Sequence, residues 1–241
     1  MVEGDRCCSS EDPLSNDRDL RLKDWIEGRR AYVEKASGGQ ISYVYVGDMG
    51  GSGATQYAQQ YYPNVDKPAI LLDVRGNDGG NISGSILNDL TSHATAFFAY
   101  RDGTNYRRES WAPLGHVALV TNEWAFSDGD YFSEMFKRLK VGPVIGHRTA
   151  GGVVGPVIYR LVDGGGVGVP NYGAWVGNEW IVEGRGAVPD YEVEQDQAAV
   201  MAGKDPQLDK AIEVLMAELK AHPFKLPMHP PYPVKLGGSR G

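Results

Sequence analysis

The sequence is nearly free of cysteine: Cys7 and Cys8, side by side in a polar leader, are the only two among 241 residues. Adjacent thiols provide neither a disulfide framework nor metal-ligand spacing. Long apolar runs are also missing, and no window approaches the about 18 uninterrupted apolar residues of a membrane-spanning helix. The start, Met1-Val-Glu-Gly-Asp-Arg6, lacks the basic and apolar regions of a signal peptide, so a cytoplasmic, non-membrane protein is expected. Positive charge is in deficit, with 24 Lys and Arg against 31 Asp and Glu and a net charge of −7. This argues against a nucleic-acid or anionic-membrane surface, which needs a basic face. What remains is ordinary globular material, 41% hydrophobic and 23% charged, with a surplus of 32 glycines that points to tight turns and close backbone approaches.

Residues 1–19 are polar and without periodicity, and are expected to form a disordered leader. In residues 20–39, Leu22, Trp25, Ile26 and Val33 approximate helical spacing before Gly38-Gly39, which predicts a connector helix. Residues 40–221 then alternate between two patterns. Strand-like runs are Ile41-Ser-Tyr-Val-Tyr-Val46, Ala69-Ile-Leu-Leu-Asp73, His116-Val-Ala-Leu-Val-Thr121 and Val144-Ile-Gly146. Helical runs are Thr55 to Tyr62, the pattern Ile82, Ile86, Leu90, and the face Phe132, Met135, Phe136, Leu139, which Gly142-Pro143 would stop. A hairpin is expected from Val157–Val162 through Asp163-Gly-Gly-Gly166 into Val167-Gly-Val169. Asp205-Pro206 starts a last helix carrying Leu208, Ile212, Leu215 and Leu219. Residues 222–241, with Pro-Met-His-Pro-Pro-Tyr-Pro, predict an extended tail. Strand and helix in alternation predict an α/β domain with a mostly parallel sheet and flanking helices.

Two strand-to-helix turns carry most of the chemical interest. In Asn122-Glu-Trp-Ala-Phe-Ser127-Asp-Gly-Asp130, Ser127 stands near a helix N-terminus, where free N–H groups favour negative charge. It is a candidate nucleophile, and equally an N-cap of the Ser-x-x-Asp type. In Asp73-Val-Arg-Gly-Asn-Asp-Gly79-Gly80, paired glycines let backbone N–H groups face an oxyanion or a phosphate, or simply make a turn. The phosphate reading lacks both the G-x-G-x-x-G spacing and a following Lys-Ser/Thr pair. Glu183, before a glycine loop, reads locally as a solvated charge.

Together these stretches resemble a known family. Asp73-Val-Arg-x-Asn-x-Gly-Gly80, Thr121-Asn-Glu-Trp-Ala-x-Ser-Asp-Gly-Asp130, Gly146-x-Arg-Thr-x-Gly-Gly-Val-Val-Gly155, Val182-Glu183 with Pro189-Asp190, and Gly203-Lys-Asp-Pro-Gln-Leu-Asp209 are similar to the C-terminal catalytic subdomain of the tricorn proteases. These belong to the tail-specific serine peptidases. The resemblance covers roughly Lys23 to Leu219. It implies a crotonase/ClpP-like ββα superhelix and no cofactor or metal. Ser127 would be the nucleophile, the N–H groups of Gly80 and Asp128 the oxyanion hole, and Glu183 an orienting carboxylate. Peptides or unstructured polypeptides would be the substrates.

The chain also departs from that pattern. The family's general base is a histidine in a Ser-His pair on an earlier subdomain, and nothing before Gly38 is long enough to hold it. Ser92-His93 falls at a different position, no lysine occurs near Gly152, and His147 lies in the right loop without further indication of a role. The family's acidic specificity residue falls near Phe97-Phe98-Ala99, which favours an apolar pocket. The expectation is therefore an incomplete serine peptidase, working as a homo-oligomer or with the missing N-terminal part. The alternatives are a catalytically silent assembly module, an enolate-stabilising enzyme of the same fold, and a metal site from Asp73, Asp78, Asp128 and Asp130.

Overall fold

In the computed structural model, residues 16–232 are described. Of the leader expected over 1–19, residues 1–15 with Cys7 and Cys8 lie outside these residues, as does 233–241 of the expected tail, while Arg18 and Asp19 are already helical. The first helix, α1 (Arg18–Ser37), ends at Gly38, whose φ of 61° provides the left-handed cap that accommodates glycine. Strand β1 (Ile41–Tyr45) leads to α2 (Gly51–Tyr61), which starts four residues before the expected Thr55. The Asp48 carboxylate accepts the N–H groups of Gly50 and Gly53 at 2.6 and 3.1 Å, so the glycine-rich stretch is capped into the helix. Then come β2 (Ala69–Asp73), α3 (Ser83–Thr91) and a small hairpin, β3 (Phe97–Ala99) with β4 (Asn105–Arg107). Strand β5 (His116–Thr121), α4 (Asp128–Arg138) and β6 (Val144–Gly146) follow.

The long hairpin β7 (Gly155–Arg160) and β8 (Gly166–Tyr172) comes next, then the ribbon β9 (Trp175–Val176) with β10 (Glu179–Trp180). The described chain ends with β11 (Tyr191–Glu192), α5 (Gln197–Met201) and α6 (Pro206–Ala221). Residues 222–232 form no helix or strand.

Five strands make one parallel sheet in the order β1-β2-β5-β6-β11. Side chains alternate across it, as a period of two requires. Val44, Ile70, Leu72, Val117 and Leu119 face α2, α3 and α4, meeting Tyr57, Tyr61, Ile86, Leu90, Phe132 and Phe136. Tyr43, Ala69, Leu71, Ala118, Val120 and Ile145 face the other way, onto Ile26 and Val33 of α1 and Leu208, Ile212 and Leu215 of α6. With both faces covered, β1, β2 and β5 are buried along almost their whole length, which is why they read as nearly continuous apolar runs in the sequence. The functional turns all leave the carboxyl ends of these strands, the usual place for a site in an open parallel sheet.

A buried ionic cluster locks that end of the sheet. Arg75 donates to both Asp73 oxygens at 2.6 to 3.0 Å and to Asp205 at 2.9 and 3.1 Å. Asp205 also accepts the N–H of Leu208 at 3.2 Å, so one carboxylate caps α6 and pairs with the glycine turn. Tyr43 donates to Asp73 at 2.8 Å, and Trp25 of α1 lies 5.5 Å from the Arg75 guanidinium. Burial alone would raise the Asp205 carboxyl, but the Arg75 charge and hydrogen bonds outweigh it and hold it below the usual range.

Candidate active site

Ser127 stands between β5 and α4 with φ 57° and ψ −115°, a backbone conformation that costs a non-glycine residue about 1–3 kcal/mol. Its side chain makes no hydrogen bond to the helix that follows, so the N-cap alternative is not the arrangement adopted. The turn is held from below instead. Phe126 donates its N–H to the Asn77 carbonyl at 2.9 Å, and Gly129 packs against the Asn77 side chain, leaving 2.9 Å from Oδ1 to where a Cβ would stand. Asn77 is fully buried. Its amide donates to the Val46 carbonyl at 2.8 Å, and its Oδ1 accepts the Gly79 N–H at 2.9 Å. One side chain thus fixes the end of β1, the glycine turn and the serine turn relative to one another.

The two glycines are there for space. A Cβ on Gly79 would lie 2.6 Å from the Ser127 Cβ, and one on Gly80 would lie 2.0 Å from the Met49 carbonyl oxygen. Their φ values of 85° and 148° are also ones that side chains avoid. The backbone N–H groups of Gly80 and Asp128 have no acceptor among the described residues. Gly80, Ser127 and Asp128 line one cavity of about 210 Å³, completed by Tyr131, Val153, Tyr172 and Ala174. The Asp128 side chain points elsewhere, accepting the N–H of Ser83 at 3.0 Å and its hydroxyl at 2.6 Å, which ties α4 to the start of α3. A larger cleft, of about 1040 Å³ between α1 and α2, has mixed charges and does not include Ser127.

Two more carboxylates organise the loop across the cavity. Asp130, fully buried, accepts the N–H groups of Gly151 and Gly152 at 2.7 and 3.0 Å. Glu183 accepts those of Val153 and Val154, both at 2.8 Å. Glu183 therefore reaches the serine only through this loop, by way of Val153. The preceding Val182 has φ 68°, strain a β-branched residue rarely carries, and its carbonyl accepts the N–H groups of Arg185 and Gly186. Position 152 has no room for a lysine as the loop stands, because the Phe126 ring lies 2.2 Å from where a Cβ on Gly152 would be.

The remaining candidates lie apart. The Ser127 hydroxyl has no hydrogen-bond partner among the described residues, and none of the five histidines bonds to it. His93 and His116 bond to carbonyls of Ser92 and His222, while His147 faces Glu123, Glu192 and Glu194 at 3.4 to 4.0 Å. Phe97 and Phe98 are exposed on β3 and do not line the Ser127 cavity. Asp73, Asp128 and Asp130 bond to Arg75, Ser83 and the glycine loop respectively, and no group of three or more His, Cys, Asp or Glu among the described residues could hold a metal. Sequence reading missed Asn77 and Asp130 as organisers, although each sits within a quoted motif. An Asn-x-Gly and an Asp three residues after the serine were the available signals.

Comparisons with known proteins give the family. The profile of peptidase family S41 matches residues 40–193. Among curated proteins, a putative tricorn protease homolog of Streptomyces coelicolor is 39% identical over 217 residues, covering 89% of this chain and 18% of that protein. Tricorn protease of Thermoplasma acidophilum is 36% identical over 229 residues, 94% of this chain and 21% of that protein. A putative tricorn-like protease C-terminal subunit of Sulfurisphaera tokodaii is 34% identical over 209 residues, or 86% and 24%. A crystal structure of tricorn protease superposes with a TM-score of 0.82 at 37% identity, covering 86% of this chain and 20% of that one. The chain spans about a fifth of the length of these relatives.

Proposed function

The chain belongs to peptidase family S41, and from that premise we propose that it is the nucleophile-bearing part of a tricorn-like serine peptidase acting on peptides or unstructured polypeptides. The observation that carries this reading is a strained serine with an unengaged hydroxyl, in one cavity with two N–H groups that lack acceptors. Ser127 Oγ attacks the scissile carbonyl, and the carbonyl electron pair moves onto oxygen as the tetrahedral oxyanion forms. The N–H groups of Gly80 and Asp128 receive that charge, a contribution of about 3–4 kcal/mol per donor where such donors have been removed. Collapse releases the amine and leaves an acyl ester on Ser127, which water then hydrolyses. Glu183 acts at one remove, by holding Val153 and Val154 against the site.

The serine proton needs an acceptor, and no histidine among the described residues is bonded to it, so we assign the base to a partner segment, in the same polypeptide or in another. That partner is the histidine-bearing N-terminal part of a tricorn-like enzyme, brought together with this chain or with copies of it in a homo-oligomer. A crotonase/ClpP-like ββα superhelix and a cytoplasmic location complete the proposal. For the latter, no helix among the described residues is long and apolar enough to cross a membrane. The second reading, a silent assembly module, draws on the missing base and on the exposed apolar hairpins β3–β4 and β7–β8.

The test uses a serine-reactive phosphonate and unstructured peptides, with and without a polypeptide supplying the Ser-His subdomain. Labelling and hydrolysis should rise with the partner and fall by on the order of 10⁴-fold or more in Ser127→Ala. Rapid labelling of Ser127 without any partner would remove the need for a borrowed base. Hydrolysis indifferent to Ser127→Ala would remove the peptidase reading.

A further inference from the structure

At the amino ends of β2 and β5, the far end of the sheet from Ser127, a cavity of about 460 Å³ is lined by Tyr62, Val65, Asp66, Asp89, Ser110 and Trp111. Tyr62 follows α2, Asp89 lies on α3 and Trp111 precedes β5, so three separate stretches converge on it. Two of the lining residues are aromatic, two are acids and none is basic. Such a space suits a cation, which aromatic rings attract and a carboxylate neutralises.

The two carboxylates are not equivalent. Asp66 is already balanced by Arg107, whose Nη1 lies 3.1 Å from its Oδ1 and whose Nη2 donates to the Ser110 carbonyl at 2.9 Å. Asp89 has no ion pair among the described residues. Its Oδ2 accepts the hydroxyls of Tyr62 and Tyr57 at 2.9 and 3.3 Å, while its Oδ1 accepts no hydrogen bond among those residues. Burial raises the Asp89 carboxyl above its ordinary value and the tyrosine hydroxyls offset only part of that, so a positive charge beside it would favour the ionised form. The rings are anchored as well. Tyr62 packs edge-on against Tyr57 and Tyr61, with centroids 5.9 and 5.5 Å apart. Trp111 donates its indole N–H to Ser92 at 3.3 Å, and its carbonyl accepts the Tyr61 hydroxyl at 2.9 Å. Yet Tyr62 is 46% and Trp111 43% exposed, so two fixed, half-open rings border one unbalanced carboxylate.

We propose that this cavity binds the charged end of a lysine or arginine side chain on a partner polypeptide. The ammonium or guanidinium pairs with Asp89 Oδ1, while the apolar stem lies against Tyr62 and Trp111. A side chain within a polypeptide fits better than the free amino acid, whose own carboxylate would meet Asp66 and Asp89 and no basic lining residue. The net charge of −7 draws such a partner over a longer range. The site stands on its own geometry, whether or not Ser127 proves to be a nucleophile.

Blocked decapeptides that differ only at one central residue, lysine, arginine or the uncharged norleucine, are titrated against the chain by heteronuclear NMR, with the Trp111 indole and the Ser110 amide as reporters. Spermidine, a small polycation, is titrated in parallel. The lysine and arginine peptides should shift both signals and bind about tenfold more tightly than the norleucine peptide, the range of one cation–π contact with one partly buried ion pair. Asp89→Asn still accepts the tyrosine hydroxyls but lacks the charge, and Trp111→Leu lacks one ring. Followed through the Ser110 amide, each should reduce the preference to about twofold or less. Equal binding of the basic and norleucine peptides, no shift at either reporter, or a preference intact in either variant overturns the proposal. Spermidine binding more tightly than both basic peptides overturns the polypeptide as occupant.

Discussion

Asn77 bonds to β1 and to the glycine turn and underlies the serine turn, so the cost of losing it falls on groups that stay buried. Asn77→Ala strands the Val46 carbonyl and the Gly79 N–H. A loss of about 2–4 kcal/mol is expected, read as a lower urea midpoint. Arg75→Met is more severe: buried Asp73 loses its cation and Asp205 keeps only Arg29, at about 3–5 kcal/mol by the same measurement. Glu183→Gln keeps the shape but removes the charge that draws two N–H groups to one oxygen. Its effect should appear in turnover by the partnered enzyme, with little change in melting temperature. The candidate serine was legible in the sequence because an apolar run, a turn and an amphipathic run are local signals. The Asn77 role was not, since its acceptor lies 31 residues away and only the fold brings it near. Glu183 was found by resemblance alone, for nothing local separates a carboxylate that binds loop amides from a solvated one.

Strands and helices with buried faces were legible, since their periodicity is the record of that burial. The elements that went unseen, β3–β4, β9–β10, β11 and α5, expose residues such as Phe97, Phe98, Trp175, Trp180 and Tyr191, so no alternation marks them. The start of α2 was misplaced because its cap, Asp48, acts across a run of glycines with poor helix propensity. Element β1 raises a different question, for it is an edge of the sheet and edges invite pairing. Here α2 closes it. Gln60 accepts the Tyr45 N–H at 3.1 Å and donates to the Tyr45 carbonyl at 3.0 Å, while Gln56 accepts the Gly47 N–H at 3.2 Å. Two glutamine side chains stand in for a neighbouring strand. Gln60→Ala should cost about 1–3 kcal/mol and increase self-association, which sedimentation at rising concentration would detect.

At the scale of the whole molecule, the buried ionic cluster ties stability to pH. Asp205 has a depressed folded pKa, so its contribution is present above the unfolded carboxylate value of about 3.9 and is lost as pH falls through the folded value. Acid melts below about pH 4 should therefore show a steep loss, and Arg75→Met should flatten that slope because Asp205 then loses the charge that does most to hold its carboxyl down. On the alkaline side, burial and the nearby Asp73 charge push Tyr45 up to about 12, so stability declines again above about pH 10. The same cluster has a consequence in time. Arg75 sits in the glycine turn, but the Asp205 that completes its pairing is 130 residues downstream. On the ribosome Ser127 emerges well before the residue that fastens the turn beside it. The turn stays unfastened until α6 arrives, and a nascent chain cut short before Asp205 would present its serine next to a loosely held partner loop.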